Sequence, residues 1–114
     1  MTDDILFQGA LAQSDALAKG TLTATDLMQA TLARIDAVNG AVNAIVSLRD
    51  ADDLMAEARA ADAAPRSGWL HGMPIAIKDL ANAAGLPTSM GSPLFEGQVA
   101  ARDDIMVARL RAAG

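Results

Sequence analysis

Alanine supplies about a quarter of the residues, and this bias limits what the chain can fold into. Alanine is the best helix former but offers little surface to bury, so it favours closely packed helices around a weak core. The chain has 114 residues, of which 52% are hydrophobic and only 3% aromatic, and that length provides one modest core. The sequence therefore predicts either a compact helix-rich domain or part of a larger protein whose core is completed elsewhere.

The charge balance and the missing residue types exclude several function classes. Nine basic residues against 14 acidic ones give a formal net charge of −5, which argues against a nucleic-acid or membrane partner. The absence of cysteine excludes disulfides and thiol nucleophiles and fits a reducing, cytoplasmic location. His71 is a lone histidine in a Gly/Pro-rich segment, so a turn residue is expected there rather than a base or a zinc ligand. No apolar run approaches the ~18 residues that a membrane span requires.

Apolar residues at helical spacing, with start and stop signals, predict four amphipathic helices. The second is the clearest, because Thr23 begins a capping box that places Asp26 in the first turn. A breaker at residues 65–68 follows the third helix. The predicted helices and their signals are residues 5–19, with Asp3 or Asp4 as cap and Gly20 as stop; residues 23–39, with Asn39-Gly40 as stop; residues 50–62, with Asp50 as cap; and residues 105–113, opened by Asp103 and Asp104 and followed by Gly114.

Two short strands are predicted beside these helices, at residues 43–48 and in the apolar run 74–77. Two short strands are too few to cover the apolar faces of four helices. A helix followed by a capping glycine should also lead into another element. We therefore expect an α/β protein of which residues 1–114 are the N-terminal part, with a helical start at 1–64, a strand and loop at 68–100, and a helix at 103–113.

Lys78 is the first candidate for a catalytic residue. It closes the apolar strand and precedes a loop rich in glycine and proline, and α/β proteins place their chemistry at strand ends. A lysine drawn into such a site loses hydration, which disfavours its charged form and makes it a useful base. The same position also suits an ordinary solvated lysine. Asp79 would point to the opposite face of a continuing strand, so it need not pair with Lys78.

The loop after this strand holds the candidates for substrate binding, Met90, Gly91 and Ser92. With Thr88 and Ser89 they offer hydroxyl groups and a permissive backbone that could line a pocket. Ordinary loop chemistry explains the same residues, and methionine commonly fills a core. The chain contains no phosphate loop, no dinucleotide fingerprint and no serine–histidine–acid set.

Four segments, in order along the chain, resemble the amidase signature family. Residues 68–80 read Gly-Trp-Leu-His-Gly-Met-Pro-Ile-Ala-Ile-Lys-Asp-Leu and are similar to the family's first motif. Residues 84–92 and 103–114, and residues 27–43 upstream, are similar to the parts of the family that flank this motif. One short motif would be a weak signal, whereas an ordered set that covers most of the chain is specific.

The resemblance implies an amidase that hydrolyses a carboxylic amide C–N bond through a Ser–cis-Ser–Lys triad and an acyl-enzyme. Lys78 corresponds to the triad lysine. The implied fold has a mixed central sheet with helices on both faces, and the implied reaction uses a small-molecule amide and neither metal nor organic cofactor. Both triad serines and the loop that stabilises the oxyanion are expected after Gly114, and Ser89 and Ser92 are not those serines.

The chain alone is therefore expected to be inactive and to need the rest of an amidase chain, or a complementary chain. A homodimer is compatible with this expectation. Two alternatives stay open: a glutaminase-type subunit of a tRNA-dependent amidotransferase, and a non-enzymatic helix-rich interaction module whose exposed apolar faces bind partners.

Overall fold

The computed structural model describes the backbone of residues 2–114 and the side chains from residue 4 onward. Two compact units divide this part of the chain: one runs up to Pro74 and includes Gly114, and the other is Ile75–Ala113. The helices are α1 Thr2–Leu6, α2 Ala10–Lys19, α3 Ala24–Val42, α4 Ala51–Ala63 and α5 Ile105–Ala112, with one 3₁₀ turn at Pro93–Phe95.

The predicted first helix, residues 5–19, is two helices. The helix α1 ends at Leu6, and α2 begins after Gly9, whose backbone is extended as expected of an N-cap. Glycine is unfavourable inside a helix and acceptable at its N-cap, which explains the division. The prediction of Asp4 as a cap is wrong, because Asp4 lies within α1, and the side chain of Asp3 lies outside the described residues. The predicted stop at Gly20 is confirmed, with φ of 70°.

The start of α3 is confirmed and its predicted stop is wrong. The Asp26 N–H donates to the Thr23 hydroxyl oxygen at 3.0 Å, as the capping box predicts. The helix continues through Gly40 to Val42 and ends on Asn43, which adopts the left-handed conformation at φ 48°. The Asn39 side chain exchanges two hydrogen bonds of 2.9 Å with the backbone of Ile45, just beyond the end of the helix.

The helices α4 and α5 follow their predicted bounds within one residue. Asp50 caps α4 by accepting the Asp52 N–H at 2.9 Å. Asp104 precedes α5, but its carboxylate does not cap that helix. Instead Asp104 accepts the Asn82 N–H at 2.8 Å, and Asp103 accepts the Ala84 N–H at 2.7 Å. The acidic pair therefore holds the start of α5 to residues 82–84 within the second unit.

Neither predicted strand, at 43–48 or 74–77, is formed. Between residues 2 and 114 the β-structure amounts to one antiparallel bridge between Pro87 and Val99. A strand is stable only when a neighbouring strand completes its hydrogen bonds, and the apolar run has none here; Ile75 is 59% exposed. The regular structure of the described residues is therefore almost entirely helical.

The first unit packs its helices through small side chains, as the alanine content predicts. The helix α3 contacts both α4 and α1. The buried hydrophobic residues of this unit are Leu22, Ala24, Leu27, Ala30 and Ala58. Alanine at three of these five positions allows close approach of helices but contributes little buried surface.

Asp62 joins the end of α4 to the start of α3. Its carboxylate accepts the N–H groups of Ala24 at 2.7 Å and Thr25 at 3.0 Å, where the helix dipole favours a negative charge. Desolvation raises the pKa of Asp62, but hydrogen bonds from the Thr25 hydroxyl and from these two N–H groups outweigh it and hold the pKa below its ordinary value. The ionised carboxylate therefore stabilises the contact between the two helices.

We expect Asp62→Asn to destabilise the protein by about 1 kcal/mol at pH 7, because the amide accepts fewer of these hydrogen bonds. The pKa of Asp62 is lowered in the folded state, so its contribution is complete well above the ordinary aspartate pKa of about 4 and is lost as pH falls through the folded value. Urea unfolding at pH 7 and pH 3 measures both effects.

The matched control is Asp36→Asn, which changes an exposed aspartate in the middle of α3. This variant should stay within about 0.5 kcal/mol of the wild type. An equal loss of stability in both variants, or an undiminished effect of Asp62→Asn at pH 3, would contradict the role assigned to Asp62.

Candidate functional site

Lys78 lies at the end of an irregular segment and begins a turn. Residues 73–78 have no regular structure, and the Lys78 carbonyl accepts the Ala81 N–H at 3.0 Å. The Lys78 side chain is exposed. The fold thus presents the amine of Lys78 at a surface, directly before the loop in which the other site candidates lie.

Asp79 ties this turn to the loop. One of its carboxylate oxygens accepts the Ser89 N–H at 2.8 Å, and the other accepts the Ser89 hydroxyl. The Ser89 hydroxyl, together with the N–H groups of Ser89, Met90 and Gly91, holds the pKa of Asp79 below its ordinary range. Asp79 is therefore engaged with the loop as a carboxylate.

The three candidates for substrate binding lie in a loop of unusual backbone. Met90 and Gly91 both adopt the left-handed conformation, with φ of 53° and 67°. Ser92 donates its N–H to the Ser89 carbonyl at 2.9 Å, and its hydroxyl accepts the Leu94 N–H at 3.3 Å at the start of the 3₁₀ turn. The Ser92 hydroxyl is thus used to shape the loop, while Met90 and Gly91 are exposed.

The sequence did not predict that Asp79 and Ser89 bond to each other. They lie ten residues apart in a segment without periodicity, so spacing carries no information about their contact.

His71 is a structural residue, as its context predicted. Its Nε2 lies 2.8 Å from the Ala61 carbonyl oxygen and its Nδ1 lies 3.0 Å from the Ser67 hydroxyl. A carbonyl only accepts, so this geometry assigns the proton to Nε2 and leaves Nδ1 as the acceptor. Nε2 therefore fastens the turn to the end of α4, and Nδ1 holds it to Ser67.

Two other site types find no support in the part of the chain that the structure describes. Among these residues, no three histidine, cysteine, aspartate or glutamate side chains are grouped so as to hold a metal ion. None of the described helices is long and apolar enough to cross a membrane.

Comparison with known families identifies the class of this protein. The profile of the Amidase family matches residues 26–114, which include most of α3 and everything after it. The chain belongs to the amidase family, whose members compared below are amidases or amidotransferase subunits acting on C–N bonds.

Individual relatives carry two kinds of name. The chain is 41% identical over 87% of its length to a glutamyl-tRNA(Gln) amidotransferase subunit of Oleidesulfovibrio alaskensis, and 37% identical over 96% to the corresponding protein of Streptomyces coelicolor. It is 36% identical over 92% of its length to an acylamidase of Rhodococcus erythropolis. These matches cover 20%, 23% and 23% of the relatives, so the chain spans about a fifth of their length.

A solved structure shares the fold of this chain. It is described as an inhibitor-bound vestigial protein complex that reveals the evolutionary origins of an s-triazine catabolic enzyme. The TM-score is 0.73 at 32% identity, over 88% of this chain and 23% of the other. The helical arrangement described above is therefore that of a known protein segment.

Proposed function

We propose that this chain is the N-terminal part of a single amidase domain that hydrolyses a carboxylic amide C–N bond through a Ser–cis-Ser–Lys triad. Lys78 is its one contribution to the triad. The observation that carries the proposal is the position of Lys78, exposed at the end of the apolar segment of the family motif and joined through Asp79 to an ordered loop.

The exposed apolar side chains around Lys78 support the need for further protein. Ile75 is 59% exposed and Leu80 is 60% exposed, three residues before and two residues after the lysine. Leaving large apolar side chains in water is unfavourable, and a cluster of them typically marks a contact surface. We propose that further strands of an amidase domain cover this segment and complete the mixed sheet that residues 74–77 cannot form alone.

In the proposed reaction, the amine of Lys78 accepts a proton that a bridging serine relays from the nucleophilic serine. The nucleophile attacks the amide carbonyl, and backbone N–H groups stabilise the oxyanion. The amine or ammonia leaves with a proton, and water then hydrolyses the acyl-enzyme to the free acid. The resemblance to the family implies that both serines lie outside residues 1–114, and the hydroxyls of Ser89 and Ser92 contribute to the structure of the loop.

A second candidate is the ammonia-releasing subunit of a tRNA-dependent amidotransferase. The names of the relatives from Oleidesulfovibrio alaskensis and Streptomyces coelicolor favour it. Both candidates use the same lysine chemistry and differ in substrate. For the first candidate the substrate is a simple carboxamide. For the second it is glutamine, whose ammonia passes to a tRNA-linked acceptor.

An assay of ammonia release distinguishes these two functions. The complete gene product, with any chain that co-purifies with it, is given simple carboxamides, and glutamine with and without glutamyl-tRNA(Gln). We expect ammonia from simple carboxamides in the absence of tRNA. Release from glutamine that depends on the tRNA would favour the second candidate, and no release from any amide would overturn the proposed function.

A further inference from the structure

We propose that Asp79 is a positioning residue that fixes the loop of residues 88–92 beside Lys78 and thereby sets the affinity of the site for its amide substrate. This inference rests on the proposed function and extends it to a residue outside the triad. It starts from the backbone of the loop, in which Met90 and Gly91 are left-handed in succession. A methionine in this conformation is sterically disfavoured, so neighbouring contacts have to hold it there.

Asp79 supplies contacts of the right kind. Its two carboxylate oxygens bind the N–H and the hydroxyl of the same residue, Ser89, which fixes both the backbone and the side chain before Met90. The N–H groups of Met90 and Gly91 also favour the charged form of this carboxylate and lower the pKa of Asp79. A charged acceptor with two oxygens can receive all of these donors, and bonds to a charged group are stronger than neutral ones.

The other attachments of the loop do not reach Lys78. The Thr88 N–H donates to the Gln98 carbonyl at 3.0 Å, and the Ala100 N–H donates to the Leu86 carbonyl at 3.0 Å, which holds the loop to residues 98–100. Of the residues that hold the loop in place, only Asp79 is adjacent to Lys78 in the sequence. Loss of the Asp79 carboxylate should therefore make residues 89–91 more mobile and remove their fixed position relative to Lys78. The bridge between Pro87 and Val99 should persist.

The test compares Asp79→Asn and Ser89→Ala with Ser89→Thr, which keeps the hydroxyl, in the complete gene product. We expect Asp79→Asn to raise the hydrogen-exchange rates of the amides at residues 89–91 at least about tenfold. We expect KM for a carboxamide to rise at least about fivefold, with kcat within about twofold of the wild type. Ser89→Ala should act in the same direction, and Ser89→Thr should restore most of the wild-type KM.

The matched control is Asp103→Asn, because Asp103 also accepts a backbone N–H in the second unit, that of Ala84 at 2.7 Å. It should leave the exchange at 89–91 and KM unchanged. Suppose that Lys78→Ala inactivates the enzyme but Asp79→Asn leaves the exchange rates at residues 89–91 or KM unchanged. The role of Asp79 is then overturned, and the proposed function stands. If Lys78→Ala stays active, or if no amide is hydrolysed, the proposed function is wrong. The positioning role is then judged by hydrogen exchange alone, and unchanged exchange rates at residues 89–91 in Asp79→Asn would overturn it.

Discussion

Replacing Lys78 with alanine is expected to lower kcat for amide hydrolysis by the complete gene product at least about a thousandfold, or about 4 kcal/mol in activation free energy. The physical reason is that the proposed serine nucleophile is weak while it keeps its proton, and the lysine amine is the group that finally accepts that proton. The exposed position of Lys78 means that its removal should not unfold the chain. Circular dichroism on the same samples checks this point.

The chain provides a well-matched control for this experiment. It contains two lysines, and the second, Lys19, lies at the end of α2 in an exposed ion pair of 2.6 Å with Asp15. Exposed pairs of this kind contribute little, so Lys19→Ala should keep wild-type activity and change stability by less than about 1 kcal/mol. A Lys78→Ala enzyme that retains a tenth or more of the wild-type kcat would contradict a role in proton transfer.

The largest expected effect on stability comes from Gly72→Ala. Gly72 has φ of +82°, where residues other than glycine are strained, and a Cβ atom there would lie 2.9 Å from the Cβ of Ala24. Ala24 is 2% exposed and begins α3, so it cannot move away without disturbing that helix. Backbone strain and overpacking together should destabilise the protein by about 2–4 kcal/mol in urea unfolding.

Gly40→Ala is the matched control for this substitution. Gly40 lies inside α3, and a Cβ atom there would meet nothing within 4 Å. Alanine is a better helix former than glycine, so this variant should be more stable by about 0.5–1 kcal/mol. The two substitutions make the same chemical change in opposite surroundings, and a similar shift in both would contradict the packing described for Gly72 and Ala24.

The helix ends that were predicted correctly depend on neighbours in sequence. Thr23 binds an N–H three residues away, Asp50 binds one two residues away, and Gly20 needs only its own freedom to adopt a positive φ. Such bonds follow from spacing alone. At Gly9 the break between two helices was missed, and at Asn39 the side chain bonds to Ile45 beyond the helix while the backbone continues to Val42.

The strands could not be predicted reliably from the same kind of reasoning. Residues 74–77 have the composition of a strand, but a strand exists only in a ladder with another segment. Pattern shows that a segment suits a sheet and does not show whether its partner is present. The same limit applied to Asp103 and Asp104, which spacing assigned to α5 and which in fact bind residues 82–84.

Sequence and fold contribute different parts of the candidate site. Lys78 is proposed from its place after an apolar run and from the resemblance to a family motif, and both arguments need only sequence. The contact between Asp79 and Ser89 needed the fold, because two side chains ten residues apart in an irregular loop have no characteristic spacing. The hydrogen bonds that order the loop are therefore the part of this site that a single sequence does not predict.

Lys78 is proposed to accept the proton in a site whose nucleophile is a serine elsewhere in the protein. Acid quenching of the complete gene product during turnover of an aryl amide, followed by peptide mass spectrometry, locates the acyl group that this mechanism requires. We expect an acyl group on a serine outside residues 1–114 in the wild type, and its loss in Lys78→Ala. An acyl group on Ser89 or Ser92 would contradict a nucleophile outside residues 1–114. Equal accumulation of the acyl-enzyme in Lys78→Ala would contradict the role of the lysine.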